Sequence, residues 1–339
     1  MATDWYYADD GKSVGPLSTQ EVVGRIRASK EQPHIVWKDG MDEWAEARTV
    51  PEFSAEFLTE QKAKPRKTSE TSKKVVLVTG ATSGIGKACA EHLAASGWQV
   101  FGTGRNPSAS APTDSVHMIA MDVDDESSVR DGVAQVVAKA GRLDAVVNNA
   151  GYSLMGAVED TAIAEAKAQF ETNFFGVLRV CQAALPALRA TGGGHIVNVS
   201  SLAGIVGLPF SGLYSATKFA LEGVSESLRH EVRPFGVQVV LVEPGDFRTQ
   251  TTSNRRVADA SQRGVYRAAF EKFKQKQDHD EMNGPTPEPV ARLVAHILKQ
   301  RRPKTRYSVG MLGQRIVVPL KRLLPQRFFE SLFRLVIGL

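Results

Sequence analysis

One short segment limits what this chain can fold into more than any other: a run of aliphatic residues that leads directly into a glycine-rich turn. Residues 75–79 read Val-Val-Leu-Val-Thr, the pattern of a buried strand, and residues 80–86 read Gly-Ala-Thr-Ser-Gly-Ile-Gly before an amphipathic stretch. Glycines let backbone amides approach an anion closely, and a helix N-terminus adds the positive end of its dipole. The segment therefore predicts a strand–turn–helix unit that binds a pyrophosphate, with purely steric use of the glycines as the alternative.

From this unit to about residue 310, short aliphatic runs alternate with longer amphipathic stretches. This alternation is typical of β-α-β units, because parallel strands need a helical crossover between them. We therefore predict an α/β fold of the Rossmann type, with a doubly wound parallel sheet and helices on both faces. The predicted strands are 75–79, 98–103, 116–121, 143–148, 195–200, 237–242 and about 305–309. The predicted helices lie near 84–96, 126–140, 159–190, 212–233, 261–278 and 287–301.

The composition changes twice before residue 75. Trp5, Trp37 and Trp44, three of the four tryptophans, fall within the first 44 residues, which indicates a small α+β module with its own core. Residues 59–74 contain no aliphatic side chain larger than alanine and are rich in lysine, serine and threonine, as in a flexible linker. The predicted domains are the module at 1–58, the linker at 59–74, the Rossmann domain at 75–310 and an amphipathic helical extension at 311–339.

Charge and cysteine content exclude several classes of function. The net charge of +5 is concentrated in the linker and in the arginine-rich tail, and no nucleic-acid motif accompanies it, so we expect no nucleic-acid partner. Cys89 and Cys181 are the only cysteines, and we expect them to be free buried thiols, with no disulfide and no metal site. Because the N-terminus lacks a signal-peptide pattern and no apolar run approaches about 20 residues, we expect a cytoplasmic protein.

Small and polar residues follow the next predicted strands, at the edge where open α/β sheets bind ligands. Strand 98–103 is followed by Arg105 without an acidic residue that would bond a ribose 2′-hydroxyl, and Arg105 is suited to pair a 2′-phosphate. NADP(H) is therefore favoured over NAD(H), and a solvated surface arginine is the alternative. Asp122 is expected to accept a hydrogen bond from the adenine amino group, while Ala150 and Gly151 leave room for the adenosine ribose.

Tyr214 and Lys218 lie four residues apart in a predicted helix and therefore share one face. A tyrosine ordinarily titrates at about 10. A nearby lysine ammonium, together with the positive nicotinamide of an oxidised cofactor, would lower that pKa and let the phenol exchange protons. Strand 195–200 ends in Ser200 and is followed by Ser201, whose hydroxyl is placed to reach a substrate oxygen.

Taken together, these motifs resemble the short-chain dehydrogenase/reductase family. The residues that carry the resemblance are Thr79, Gly80, Gly84, Gly86, Asp122, Asn148, Asn149, Ala150, Gly151, Asn173, Ser201, Tyr214, Lys218, Pro244 and Gly245. The family implies hydride transfer between the nicotinamide and a carbonyl or alcohol carbon, with Tyr214 as general acid/base. It implies that Ser201 polarises the substrate oxygen in preference to Ser200, that Lys218 holds the nicotinamide ribose, and that Asn173 holds a water. A homodimer or homotetramer is also expected.

The predicted cofactor-binding set joins the glycine-rich turn, the strand ends and the catalytic pair. It comprises Gly80, Thr82, Ser83, Gly84, Ile85, Gly86, Arg105, Asp122, Val123, Asn149, Ala150, Gly151, Tyr214, Lys218, Pro244, Gly245, Phe247 and Thr249, the last of which is expected to bond the carboxamide. Residues 207–223 resemble the branch that contains 17β-hydroxysteroid and retinol dehydrogenases, which implies a bulky apolar substrate. The candidate pocket residues are Tyr152, Met155, Leu208, Phe210 and Phe247, with ordinary packing as the alternative.

The two ends of the chain offer further interaction surfaces. Residues 4–53 resemble a bacterial GYF-like domain through the segments Trp5-Tyr6-Tyr7, Gly15-Pro16-Leu17 and Val36-Trp37. Such domains bind proline-rich peptides between exposed aromatic rings, and the alternative is that the rings only form a core. In the tail, residues 327–337 place apolar side chains on one arc of a helix and charged ones on the other. That helix either covers the substrate pocket or sheet, or lies in a membrane interface.

The sequence thus predicts an NADP(H)-dependent oxidoreductase that interconverts a hydrophobic ketone or aldehyde, of steroid-, retinoid- or lipid-like type, and its alcohol. The alternative is a scaffold or interaction protein in which the N-terminal module carries the main role and the Rossmann domain senses the dinucleotide. The presence of both Tyr214 and Lys218 favours the enzyme, because a protein that only senses the dinucleotide needs neither.

Overall fold

A computed structural model describes residues 4–9, 12–28, 33–53, 73–106, 115–249, 255–262 and 264–337. The chain divides into two units, Met1–Thr68 and Ser69–Leu339, and each is described by itself. Residues 54–72, which include most of the predicted linker, lie outside the described residues.

The first unit is a small α+β module, as predicted. Its antiparallel sheet has the strand order β2-β1-β3-β4. The elements are β1 (Trp5–Asp9), β2 (Lys12–Leu17), α1 (Thr19–Ala28), β3 (Ile35–Lys38) and β4 (Ala45–Glu46). Helix α1 begins at a capping box, in which the Ser18 amide donates to the Glu21 carboxylate (2.7 Å) and the Glu21 amide donates back to the Ser18 hydroxyl (3.3 Å). The fully buried rings of Trp5 and Phe53 meet edge to face at the centre of its core.

The second unit contains a seven-stranded sheet in which all neighbouring strands are parallel, in the order β13-β11-β10-β8-β5-β6-β7. Its strands are β5 (Val75–Val78), β6 (Gln99–Gly104), β7 (Val116–Ala120), β8 (Ala145–Asn148), β10 (Gly194–Val199), β11 (Val237–Pro244) and β13 (Arg306–Val309). Each corresponds to a predicted strand. The chain winds outward in one direction from β5 and in the other from β8, so the doubly wound topology is confirmed. A short pair, β9 (Leu154–Met155) with β12 (Arg256–Val257), was not predicted.

Helices cover both faces of this sheet. Two separate aliphatic cores lie between the sheet and these helices, one on each side. The helices are α2 (Gly84–Ala95), α3 (Glu126–Ala140), α4 (Ile163–Phe170), α5 (Gly176–Ala190), α6 (Gly212–Val232), α7 (Arg267–Met282) and α8 (Glu288–Lys299). Helices α2 and α8 pack in one core, with Leu93 and Val294 among the buried side chains. Helices α3, α5 and α6 pack in the other, with Val133, Val180 and Leu221.

Two predicted helices differ from the observed ones. The helix predicted over 159–190 is split by a π-helical turn at Glu171–Phe175, which widens the helix between α4 and α5. The buried residues of this stretch, Gln169 and Asn173, are polar, so the apolar pattern does not mark the turn. The helix predicted over 261–278 begins only at Arg267, after a 3₁₀ turn at Asp259–Gln262, and continues to Met282.

The predicted amphipathic extension forms three short helices, α9 (Leu312–Arg315), α10 (Val317–Leu323) and α11 (Gln326–Ile337). Helix α10 ends because Leu324 is extended, the conformation favoured before a proline such as Pro325. The start of the extension is fixed to its own unit, since the Gln314 Nε2 donates to the Asp246 carboxylate (2.6 Å). Within the described part of the chain, no helix combines the length and the apolar character needed to cross a membrane.

Candidate active site at the carboxyl ends of the strands

A cavity of about 630 Å³ opens at the carboxyl ends of the parallel strands, where the chain changes its winding direction between β5 and β8. This is the position at which open α/β sheets form a ligand crevice. Every residue of the predicted cofactor-binding set except Gly86 lines it, and so does Ser201. The sequence motifs, which are spread over 170 residues, are thereby brought to one place.

The glycine-rich turn between β5 and α2 forms one end of the cavity. Gly80 and Gly84 have backbone φ angles of +65° and +55°, in the left-handed region that favours glycine. A methyl group on Gly86 would overlap the Gly80 carbonyl oxygen and the Asn149 side chain, so Gly86 acts by allowing close packing and not by contacting a ligand. The Asn149 Nδ2 donates to the carbonyls of Thr79 (3.1 Å) and Gly80 (3.2 Å) and fixes the turn.

The first turn of α2 is suited to a pyrophosphate. Ser83 occupies the N-cap position without a side-chain hydrogen bond to the helix. The amides of the first turn have no partner within the helix and therefore remain available to an anion, whose charge the helix dipole stabilises. The cradle thus fits the dinucleotide that the sequence predicted.

The adenosine end of the cavity is lined by Arg105 and Asp122. Arg105 is exposed just after β6. Burial raises the pKa of the neighbouring Asp124, and the positive charge of Arg105 opposes that shift. The Asp122 carboxylate accepts from the backbone amide of Asp124 (3.1 Å), which fixes its orientation after β7. The predicted contacts require a basic side chain for the 2′-phosphate and an acceptor for the adenine amino group. Arg105 and Asp122 are side chains of these two kinds.

Tyr214, Ser201 and Lys218 meet at the centre of the cavity. The Ser201 hydroxyl lies close enough to the Tyr214 phenol to oppose the rise in the pKa of that phenol. The Ser201 Oγ also accepts from the Ala203 amide (3.1 Å), which holds it at the end of β10. The Lys218 ammonium lies 5.8 Å from the centre of the Tyr214 ring and donates to the Val199 carbonyl (2.9 Å). The three side chains predicted for catalysis therefore converge.

The protonation of this group differs from the sequence expectation in one respect. Burial raises the pKa of Tyr214 to about 12, and burial lowers the pKa of Lys218 to about 8. Desolvation of the phenolate outweighs the nearby ammonium, so Lys218 alone does not produce the lowered tyrosine pKa suggested by the sequence. Tyr214 is therefore a phenol at neutral pH, which is the form that donates a proton.

The structure distinguishes Ser201 from its neighbour Ser200. Ser200 also lines the cavity, but it is 3% exposed and its hydroxyl lies against Gly204, with no hydrogen-bond partner among the described residues. Ser201 is the serine of the two whose hydroxyl acts on the pKa of Tyr214. The geometry thus agrees with the role that the family resemblance implies for Ser201.

Asn173 lies in the π-helical turn and is fully buried. Its Oδ1 accepts from the Tyr152 amide (3.0 Å), and its Nδ2 donates to the Tyr152 carbonyl (2.9 Å) and the Thr217 hydroxyl (3.3 Å). The side chain joins the segment after β8 to the helix that carries Lys218. The ordered water expected between Lys218 and this turn stays a prediction.

The other end of the cavity is less apolar than predicted. Tyr152, Met155, Leu208 and Phe247 line it, whereas Phe210 packs against Phe270 and Phe273, with ring centroids 5.8 Å apart in both pairs. For Phe210 the alternative of ordinary packing holds, because Phe270 and Phe273 of α7 contact its ring. The polar residues that sequence reasoning missed here are Asp246, Arg255, Arg256, Gln277 and Glu281. The only signal for any of them is the place of Asp246 directly after Pro244-Gly245.

Known proteins share both the sequence and the fold. Residues 74–260 match the family model for short chain dehydrogenases, and residues 5–53 match the model for GYF domain 2. The 3-ketodihydrosphingosine reductase of Bacteroides thetaiotaomicron is 39% identical over 262 residues, which cover 77% of this chain and 97% of that protein. A solved short-chain dehydrogenase from Streptomyces avermitilis is 33% identical with a TM-score of 0.67, and the match covers 79% of this chain and 99% of that one.

A third match is the solved structure of ElxO with NADP bound, which is 28% identical with a TM-score of 0.57 and covers 70% of this chain and 97% of that chain. This chain therefore belongs to the short-chain dehydrogenase/reductase family. It is an oxidoreductase whose cavity accommodates a nicotinamide dinucleotide.

Proposed function

We propose that the second unit is an NADP(H)-dependent reductase that converts a lipid-like ketone or aldehyde into its alcohol. The observation that carries the proposal is the convergence of Tyr214, Ser201 and Lys218 in the cavity that also contains the glycine-rich cradle. Two hydroxyls at this point bind one carbonyl oxygen and polarise its double bond.

The chemistry of the residues follows from their protonation. Ser201 donates to the carbonyl oxygen as negative charge develops on it, and Tyr214, a phenol at neutral pH, transfers its proton to the same oxygen. Lys218 is held by the Val199 carbonyl at a position where its ammonium can bind a ribose hydroxyl. A bound NADPH supplies the hydride to the carbonyl carbon. The hydride added to the carbonyl carbon and the proton added to its oxygen together give the alcohol.

Two observations support NADP(H) over NAD(H). Arg105 is exposed at the open end of the cavity, and the residue at the end of β6 that would bond a ribose 2′-hydroxyl is Gly104 and not an acid. A guanidinium binds phosphate in a bidentate manner, which suits a 2′-phosphate. The related ElxO structure was solved with NADP bound.

The substrate class rests on the lining of the cavity and on one relative. Met155, Leu208 and Phe247 provide an apolar wall, and Asp246 and Arg255 provide a polar one. A long-chain ketone with a polar head matches both walls better than a uniformly apolar steroid. The 39% identical relative is named for 3-ketodihydrosphingosine, a ketone of this kind.

The test is loss of NADPH absorbance when the purified full chain meets a panel of carbonyl compounds: 3-ketodihydrosphingosine, a steroid ketone, retinal, a long-chain aldehyde and a 3-oxoacyl ester. We expect turnover of the amphiphilic ketone, with NADPH preferred over NADH. Absence of turnover on the whole panel, or a preference for NADH, would contradict the proposal. Sedimentation of the same preparation tests the predicted homodimer or homotetramer.

We propose in addition that the N-terminal module binds a proline-rich peptide. Trp5 is a core residue, but the rings of Tyr6, Trp37 and Trp44 form a row with centroids 5.7 and 6.4 Å apart, and Trp44 is 42% exposed. Exposed rings at such spacing form slots for a polyproline helix. Titration of tryptophan fluorescence with a proline-rich peptide should give saturable binding that Trp44→Ala abolishes. Equal binding of a peptide with alanine in place of proline would contradict peptide recognition.

A third proposal concerns the tail, which we infer contacts an anionic lipid surface. In α11 the rings of Phe329 and Phe333 stack, and Phe329 is buried, whereas Phe328, Leu335 and Val336 are more than half exposed. Four arginines and a lysine, against the single acidic residue Glu330, accompany these apolar side chains in residues 311–339. The intact chain should co-sediment with phosphatidylglycerol vesicles at low salt, and Leu335→Glu with Val336→Glu should remain in the supernatant. Identical sedimentation of the intact chain and this double variant would contradict the proposed lipid contact.

A further inference from the structure

Among the described residues, a part-buried carboxylate in the same cavity as Tyr214 has no cationic partner. Asp246 lines the cavity, and its oxygens accept from the side-chain amides of Gln277 (2.8 Å) and Gln314 (2.6 Å), which are neutral. Among the residues that the structure describes, no lysine, arginine or histidine forms an ion pair with it. Burial, reinforced by the charge of Glu281, raises its pKa to about 6. A bound cation would stabilise the charged form of such a group.

The neighbouring acids do not share this property, because each has a base of its own. Arg255 pairs with Asp278 and with Glu281 through its two terminal nitrogens, and Lys274 also binds Asp278 (2.6 Å). Asp246 is thus the acid on the polar wall of the cavity whose negative charge remains available to a ligand.

A second unsatisfied group lies on the same wall. The Arg255 side chain is only 3% exposed and lines the cavity, yet its Nε has no acceptor within the described parts of the chain. The nitrogen itself is buried out of reach of the cavity. The charged group that this wall offers to an occupant is therefore the Asp246 carboxylate.

Asp246 and Arg255 line the same cavity as Tyr214. Their charges act in opposite directions on the pKa of the Tyr214 phenol. A cation held by Asp246 would therefore lie on the part of the substrate that shares this cavity with its ketone.

From this arrangement, and resting on the ketone reduction proposed above, we propose that Asp246 binds a primary ammonium group carried next to the substrate ketone. The site then selects amphiphilic amino ketones over neutral ketones of equal length, because a neutral ligand leaves the Asp246 carboxylate buried and unpaired.

The experiment uses two ketones of the same chain length: 3-ketodihydrosphingosine and its N-acetyl derivative, in which a neutral amide replaces the ammonium. With the full chain and NADPH, we expect kcat/KM to be about ten- to a hundredfold higher for the amine. Asp246→Asn keeps the size and one acceptor oxygen and should abolish this ratio by lowering only the value for the amine. Asp280→Asn is the matched control, since it removes an acid from the helix of Gln277 that pairs with Lys276 and does not line the cavity.

Turnover of the N-acetyl ketone reports folding of each variant. Equal rates for the two ketones in the wild-type protein, or an equal loss for both in Asp246→Asn, would overturn the ammonium site. Calorimetric binding of sphinganine, a saturated amino alcohol, gives a readout that needs no turnover, and Asp246→Asn should weaken it by the same factor. If sphinganine binding depends on Asp246 but neither ketone is reduced, the reductase proposal fails and the ammonium site stands. If both ketones are reduced and Asp246→Asn leaves sphinganine binding unchanged, the reductase proposal stands and the ammonium site fails.

Discussion

The two halves of the cavity are made of different parts of the protein. The cofactor half is formed by main chain, where Gly80 and Gly84 take left-handed conformations and the N-cap residue of α2, Ser83, makes no side-chain bond to the first amides. The substrate half is formed by side chains from distant segments, where Gln277 and Gln314 meet on Asp246. A short local motif therefore specifies the dinucleotide site, whereas substrate selectivity depends on how separate helices pack.

The largest effect is expected where the halves meet. Tyr214→Phe removes the proton donor but keeps the ring, so turnover should fall by about a thousandfold while NADPH affinity stays within a factor of about two. Steady-state rates and fluorescence titration with NADPH measure the two quantities. Tyr266→Phe is the control, because its hydroxyl bonds to Glu159 at the surface, outside the cavity lining. A Tyr214→Phe variant that kept more than about a tenth of the rate would refute its role as the proton donor.

In the cofactor half, one methyl group that crowds the backbone should be enough to lower both stability and NADPH affinity. In Gly86→Ala the new methyl overlaps the Gly80 carbonyl and the Asn149 amide, and the turn must shift. We expect a loss of about 1–3 kcal/mol in the free energy of unfolding and a clear loss of NADPH affinity. Urea unfolding and NADPH titration measure the two effects. Gly223→Ala meets open space on the exposed side of α6 and should be neutral or slightly stabilising. Equal stability of the two variants would show that the close approach at Gly86 is unimportant.

The same division explains what sequence reasoning predicts here. Strands such as β5, buried at every residue, are recognised because both faces of a parallel strand are apolar. The cofactor site is also recognised, because each of its contacts lies within a few residues of a strand end. The π-helical turn at Glu171–Phe175 is not, since its buried residue, Asn173, is polar and adds nothing to the apolar pattern.

The substrate half escapes prediction for a different reason. Phe210 and Phe247 look alike in the sequence, but the packing of α7 buries the first in a phenylalanine cluster and leaves the second at the cavity wall. Asp246 gains its environment from Gln277 and Gln314, which lie 31 and 68 residues away along the chain. No local pattern contains such pairings, because they depend on tertiary contacts.

Arg105 is an exception within the cofactor half, because it acts through its side chain. Arg105→Ala should weaken NADPH binding about ten- to a hundredfold, the contribution of a charge-assisted hydrogen bond to phosphate, and change NADH binding little. Dissociation constants for both cofactors provide the measurement. Arg130→Ala removes an exposed arginine from α3, outside the cavity lining, and should change neither constant. An equal loss for NADPH and NADH in Arg105→Ala would mean that this arginine does not bind the 2′-phosphate.

The smallest effect is expected from the charge of Glu222, which lies in the same helix as Lys218. Glu222 lies one helical turn after Lys218 and is buried, with one oxygen 2.5 Å from Nη1 of Arg306. Burial lowers the pKa of Lys218 to about 8, and the negative charge of Glu222 opposes that shift. Burial also raises the pKa of Glu222 to about 7, so near pH 8 most of it is ionised and helps Lys218 to keep its proton.

Because Lys218 must be charged to hold the ribose, the reductase rate should be retained below the pKa of Lys218 and lost as the pH rises through about 8. Glu222→Gln removes the opposing charge, so the Lys218 pKa falls further and the rate should decline at a lower pH, by less than about one unit. The pH profile of kcat measures the shift. Glu226→Gln removes a more exposed carboxylate that binds the same Arg306 and should leave the profile unchanged. A decline at higher pH in Glu222→Gln would show that Lys218 does not set the alkaline limit.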